Sequence, residues 1–219
     1  MERNTEEIRC LRHFIWDFDG TLFDTYPVIN YNLQSALKEF GYDADLLEMM
    51  EKMLDSVRAA QAFYSEKFKI PREDLAAAYN RYHKQANEEL KAQPMAGVRQ
   101  LLEWICANGR HNYIFTHRKT WETRAYLEKY GLSHLFRDIV GPESPGFALK
   151  PDPGSVLYLM EKYAMKPEET AMIGDREIDL GSGRNAGARA IHLVCKEVPQ
   201  ALECDWRVED FDSMLKMLK

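Results

Sequence analysis

The sequence predicts an α/β fold: a doubly wound parallel sheet carrying an inserted α-helical domain. Three observations predict it. From about residue 98 onward, short apolar β-prone runs alternate with segments of helical period, the pattern of parallel strands joined by helical crossovers. A further apolar run, Phe14-Ile15-Trp16, stands near the N-terminus and stops abruptly at Asp17-Phe18-Asp19-Gly20. Between these regions, from Tyr26 to about Lys91, the pattern is helical with no strong strand signal.

Each element follows from local chemistry. Phe14, Ile15 and Trp16 read as a buried strand close to a turn. Val28, Ile29, Leu33, Leu37 and Phe40 recur at helical spacing until Gly41. Leu46, Leu47, Met50 and Met53 mark a second helix, and Val57 to Phe68 a third. Pro71 opens a fourth, carried by Leu75, Ala78, Tyr79 and Tyr82. Four such helices make a small bundle. Gln93-Pro94-Met95-Ala96-Gly97 is turn-rich and reads as a return linker. Helices are then expected over Val98–Asn108, Thr120–Tyr130, Pro153–Met165, Ile178–Ala186 and Phe211–Leu218. The strands between them are His111–Phe115, Phe136–Val140, Thr170–Ile173, Arg189–Val194 and a short Trp206–Val208. The expected organisation is a Rossmann-like core formed by residues 1–23 and 93–219, with residues 24–92 as a helical cap, or lid.

Composition narrows the function classes. The 219 residues are 45% apolar and 29% charged, as in ordinary globular proteins, and they suffice for a sizeable core. The formal net charge of −6 argues against a broad nucleic-acid or anionic-membrane surface, so an anionic substrate needs a local cluster of cations. Cys10, Cys106, Cys195 and Cys204 form no CxxC pair and read as scattered reduced thiols. The charged start Met1-Glu2-Arg3-Asn4-Thr5-Glu6-Glu7 lacks a signal-peptide apolar region, and no apolar run approaches the roughly 20 residues of a membrane span. A cytoplasmic protein is the expectation. Monomer and dimer stay open.

The chemistry concentrates at strand ends. Strand side chains alternate, so Asp17 and Asp19 point the same way where the first strand stops. Two converging carboxylates repel and resist burial unless a cation or a shared proton joins them. Gly20 lets the backbone turn and approach a ligand closely. In doubly wound sheets ligands bind at the C-terminal ends of the strands. Thr116 and Asp175 also terminate expected strands, and Leu149-Lys150-Pro151-Asp152-Pro153 brings one lysine toward the same rim. Taken singly, a threonine there is a helix cap, a lysine is solvated and Gly174-Asp175 is an ordinary turn. Their convergence favours a site.

Asp17-Phe18-Asp19-Gly20-Thr21-Leu22-Phe23-Asp24 resembles the nucleophile motif of the haloacid dehalogenase-like hydrolase superfamily. Ile114-Phe115-Thr116 resembles the second motif, Lys150-Pro151-Asp152-Pro153 the third and Gly174-Asp175-Arg176-Glu177-Ile178-Asp179 the fourth. The likeness spans nearly the whole chain, and its nearest branch is phosphoglycolate phosphatase-like, with a small helical cap.

The resemblance implies a phosphatase acting on a small phosphorylated metabolite. Asp17 would be the nucleophile, forming an aspartyl-phosphate, and Asp19 the general acid and base. Spacing alone would allow either order. Mg²⁺ would sit among Asp17, the backbone carbonyl of Asp19, and Asp175. Gly20, Thr116, His117 and Lys150 would hold the phosphoryl group. Asp179 would orient Lys150 or a metal-bound water, against the plainer reading of a charge at a helix N-terminus.

The chain departs from the family pattern after Thr116, where His117 and Arg118 replace a small polar residue. Both read as solvated loop residues, with substrate contact as the alternative. In the cap, Arg58 is the candidate contact to an anionic substrate, and Tyr79 and Tyr82 read as cap core. Competing functions are a phosphosugar mutase and a non-catalytic binding protein on the same fold. Dehalogenation is disfavoured because it does not need the acid at Asp19. A Schiff-base phosphonate hydrolase needs an enclosed cap lysine, and Lys38, Lys52, Lys67 and Lys69 show no apolar enclosure.

Overall fold

The computed structural model describes residues 5–89, 91–195 and 200–219. Residues 1–4 of the charged start, and Leu90 near the end of the expected cap, lie outside the described residues. The chain divides into two compact units, Met1–Phe23 with Pro94–Lys219, and Asp24–Gln93.

The first unit is built on a six-stranded parallel sheet. A short helix α1 (Thr5–Arg9), which carries too few residues to show a periodicity, precedes β1 (His13–Trp16). Two-residue strands β2 (Phe23–Asp24) and β3 (Gln93–Pro94) pair where the chain crosses between the units, so the expected linker begins with one strand of that pair. Alternation then runs through α6 (Val98–Ala107), β4 (His111–Phe115), α7 (Thr120–Lys129), β5 (Phe136–Val140) and α8 (Gly154–Lys162). It continues through β6 (Thr170–Gly174), α9 (Glu177–Asn185), β7 (Arg189–Leu193), β8 (Trp206–Val208) and α10 (Phe211–Leu218). Helix α8 stops short of Met165 because the chain leaves it at Tyr163 and Ala164 takes a left-handed φ of 50°.

The strand order is β5-β4-β1-β6-β7-β8. Strand β1 therefore lies centrally, with successive strands added first on its β4 side and then on its β6 side. That reversal is the switch point at which such sheets bind ligands. Both faces of β1 are covered, which explains its unbroken apolar run. Ile15 packs with Tyr113, Phe115, Val156, Leu159 and Met172. On the other face Trp16 stacks on Phe211 at 5.8 Å, and its indole N–H donates to Asn112 Oδ1 at 3.0 Å.

The second unit comprises α2 (Tyr26–Glu39), α3 (Leu46–Asp55), α4 (Val57–Phe68) and α5 (Arg72–Glu88). Asp45 and Ser56 cap α3 and α4 by accepting the backbone N–H groups of Glu48 and Ala59. Leu33, Leu37, Ala60, Tyr64, Leu75 and Ala78 are fully buried, and Tyr79 nearly so. Tyr82 is only half-buried, which corrects its reading as cap core. Arg58 is exposed. Lys38, Lys67 and Lys69 are exposed too, while half-buried Lys52 lies over the Phe63 ring. Cys10, Cys106 and Cys204 are free thiols. No described helix is long and apolar enough to cross a membrane.

Candidate active site

Register brings three strand ends together. Trp16 pairs with Ile114 on one side and Ile173 on the other, so Asp17, Thr116 and Asp175 all emerge at the C-terminal edge of adjacent strands. The Asp17 N–H still donates to Ile173 O, at 2.9 Å, which fixes the backbone from which its carboxylate leaves the sheet. Gly20 turns the chain with φ 76°, and its N–H donates to Phe23 O at 2.9 Å.

Asp17, Asp175 and Asp179 are all buried, and one ligand oxygen from each lies within 4.8 Å of the others. Two cations answer them. Lys150, whose side chain is 0% exposed, places Nζ 2.5 Å from Asp17 Oδ1 and 2.8 Å from Asp179 Oδ1, over the Phe115 ring. Arg176 lies 3.8 Å from Asp17 Oδ2 and 3.5 Å from Asp179 Oδ2. Asp179 also accepts the Arg176 backbone N–H at 3.1 Å, so it both caps α9 and orients Lys150.

Burial, and then the Asp179 carboxylate, push the Asp17 pKa up, against the pull of Lys150 and Arg176. Burial alone would raise Asp179 as well, but Lys150 and then Arg176 outweigh it and hold that carboxyl below its ordinary value. Three carboxylates against two fixed cations leave an excess negative charge. Asp17 Oδ2 is buried and has no hydrogen-bond partner among the described residues. An orphaned carboxylate oxygen beside Asp175 suits a hard divalent cation, which takes oxygen ligands. Thr21 supports the same corner, its hydroxyl donating to Asp175 Oδ1 at 3.2 Å.

The loop after β4 differs from expectation. Thr116 is fully buried, and its Oγ1 accepts the Arg118 N–H at 3.0 Å. The His117 ring is half-buried, and its Nε2 accepts the Lys150 backbone N–H at 2.8 Å, tying the two loops together. Burial, then Lys150 and Arg176, lower the His117 pKa to about 4, so the ring is neutral near pH 7 and, with Nε2 accepting, carries its proton on Nδ1. Arg118 is buried as well, its side chain 6% exposed, and its Nη2 reaches Asp19 Oδ1 at 2.6 Å. The structure thus corrects the solvated reading of Arg118, and half-buries His117, because the β4–α7 loop packs against Asp19 and the Lys150 loop. The sequence marks Arg118 only as a departure after Thr116, and gives Arg176 and Thr21 no role apart from the motifs that contain them. The polar run after each strand end is their one local signal.

Gly174 allows the close approach of Asp179. A Cβ at Gly174 would lie 2.7 Å from Asp179 Cγ and 2.8 Å from its Oδ2. Gly174→Ala is expected to cost about 1–3 kcal/mol of stability by overpacking and to displace Asp179 from Lys150. Thermal unfolding checks this, and an unchanged Tm would show that α9 shifts freely.

Known proteins resemble this chain over most of its length. Phosphoglycolate phosphatase 1 of Pseudomonas aeruginosa is 27% identical over 192 residues, covering 85% of this chain and 70% of its own. Phosphoglycolate phosphatase of Haemophilus influenzae is 25% identical over 216 residues, covering 93% and 96%. The crystal structure of a predicted phosphoglycolate phosphatase from Haemophilus somnus superposes with a TM-score of 0.82 at 23% identity, covering 96% of this chain and 99% of that one, a likeness of fold. The model of the haloacid dehalogenase-like hydrolase family matches residues 14–193, from β1 through β7. Since that match takes in every strand end described above, the chain belongs to the haloacid dehalogenase-like hydrolase family.

Proposed function

We propose that this hydrolase is a Mg²⁺-dependent phosphatase that cleaves a small phosphorylated metabolite through an aspartyl-phosphate; the phosphoglycolate phosphatase relatives support the phosphatase activity. One observation carries the proposal: the buried Asp17 carboxylate, with Oδ1 on Lys150 and Oδ2 lacking a hydrogen-bond partner, beside Asp175 at the sheet's switch point.

Asp17 attacks phosphorus, and the phosphoryl group passes to its carboxylate. Asp19 gives a proton to the leaving oxygen, then takes one from the water that releases phosphate. Lys150, Thr116 and the backbone at Gly20 and His117 hold the phosphoryl oxygens over which charge is spread. His117 contributes through its main chain, since its ring is committed to Lys150. Asp17, Asp175 and the Asp19 carbonyl would hold the divalent cation, which when bound supplies positive charge to the phosphoryl oxygens and relieves carboxylate repulsion. Residues 24–92 act as the substrate-selecting cap, with Arg58 its candidate anion contact.

A panel of phosphomonoesters, phosphoglycolate included, tests this reading. Phosphate release is expected with Mg²⁺, with loss in EDTA and recovery on adding Mg²⁺ but not Ca²⁺, whose coordination is looser. Activity that persists in chelator removes the metal from the proposal. Interconversion of sugar phosphates without release makes the protein a mutase. Silence across the whole panel makes it a binding protein.

A further inference from the structure

Arg118 is a buried cation at the reacting carboxylates to which no step above assigns a role. Its guanidinium holds Asp19 by a fork: Nη2 to Oδ1 at 2.6 Å, Nε to Oδ1 at 3.2 Å and Nε to Oδ2 at 3.3 Å. Asp19 needs such a hold. It stands beyond the end of β1, on the turn closed by Gly20, and its side chain is 22% exposed, so rotamers toward solvent are open to it. A carboxylate that transfers a proton must instead stay within a few tenths of an ångström of one position.

Arg118 is itself held from four sides. Its backbone N–H donates to Thr116 Oγ1, and its Nη1 lies 3.6 Å from Glu122 Oε2, one turn further on in α7. The guanidinium lies 5.6 Å from the ring centroids of both Phe18 and Tyr126. Phe18 in turn stacks on Phe23 at 4.6 Å. The residue that separates the two aspartates is thus part of the aromatic floor beneath the arginine. A planar, rigid fork fixed by an acid, two rings and a main-chain contact is a preorganised mount for whatever it grips.

We propose that Arg118 is a positioning residue that aims the Asp19 carboxylate for proton transfer. The inference rests on Asp19 being the acid–base group of the proposed reaction. It sets Arg118 apart from Lys150, whose ammonium bridges Asp17 and Asp179. It also differs from a purely structural tie between the β4–α7 loop and α7, for which Glu122 would be sufficient partner.

The test compares kcat/KM of wild type, Asp19→Asn, Arg118→Met and Arg118→Lys on two esters with Mg²⁺ present, with Tm recorded for each protein. p-Nitrophenyl phosphate has a leaving group that departs without a proton, whereas an alkyl phosphate needs one. Arg118→Met is expected to lower kcat/KM on the alkyl ester about tenfold or more, and on the nitrophenyl ester by less than about threefold, with the loss in kcat. Arg118→Lys keeps the charge without the fork and should fall between. It carries the comparison if the Met variant fails to fold. Equal losses on both esters overturn the proposal, and so does a loss confined to KM, which would make Arg118 a substrate contact. If Asp19→Asn depends on the leaving group and the Arg118 variants do not, this inference alone fails. If Asp19→Asn shows no such dependence, the acid–base assignment fails and takes the inference with it.

Discussion

Asp17→Asn will abolish phosphate release, by about 10³-fold or more, and leave the fold intact. The substitution is nearly isosteric, at a side chain that is almost fully buried at the end of the central strand. Its amide lacks the carboxylate's nucleophilic oxygen, so no acyl phosphate can form. Stability should change little, since one of three crowded carboxylates is neutralised while Lys150 keeps Asp179. Phosphate release and Tm, measured on the same preparation, check both halves. Near-wild-type turnover would remove Asp17 as nucleophile, and a collapsed Tm would mean that its charge holds the strand ends together.

Lys150→Met is expected to damage both stability and activity. The lost ammonium lies between Asp17 and Asp179, with its side chain fully buried. Breaking a buried pair by removing one partner costs about 3–5 kcal/mol, because the remaining charge is left uncompensated. For a chain of this size that corresponds to a fall in Tm of roughly 10 °C or more. Arg176, 3.8 Å from Asp17 Oδ2, offsets part of the loss. Added Mg²⁺ should restore more Tm in this variant than in wild type, since a divalent cation at Asp17 and Asp175 replaces missing positive charge. Turnover should drop about 10²-fold or more through the lost grip on the phosphoryl oxygens. Lys150→Arg is not a rescue, because a planar fork does not fit the space of an ammonium packed over the Phe115 ring. An unchanged Tm in Lys150→Met would show that the two carboxylates shed their charge at no cost, and would contradict the electrostatic account of the site.

Much of the core was legible because its signals are local. Phe14 to Trp16 could be read as a buried strand because both faces of β1 are covered, so every position is apolar. Asp17, Thr116 and Asp175 could be read as rim residues because each follows such a run directly. Helix α1 and the strand pair β2–β3 escaped notice because five and two residues are too short for a period to repeat. Arg118 was the instructive failure. An arginine in a loop is ordinarily solvated, and nothing within its own segment signals an aspartate 99 positions away.

By itself, then, the sequence determined the alternation of strands and helices, the inserted helical block and the strand-end positions of the candidate site residues. Those are set by side-chain period and by turn residues, which are local properties of the chain. Only the tertiary structure decided which charges meet. Lys150 reaches Asp17 across 133 positions, Arg118 reaches Asp19, and Arg176 joins Asp17 to Asp179. Those pairings depend on strand register and crossover order, and the low-dielectric interior then enforces them, because none of these buried charges is stable without a partner.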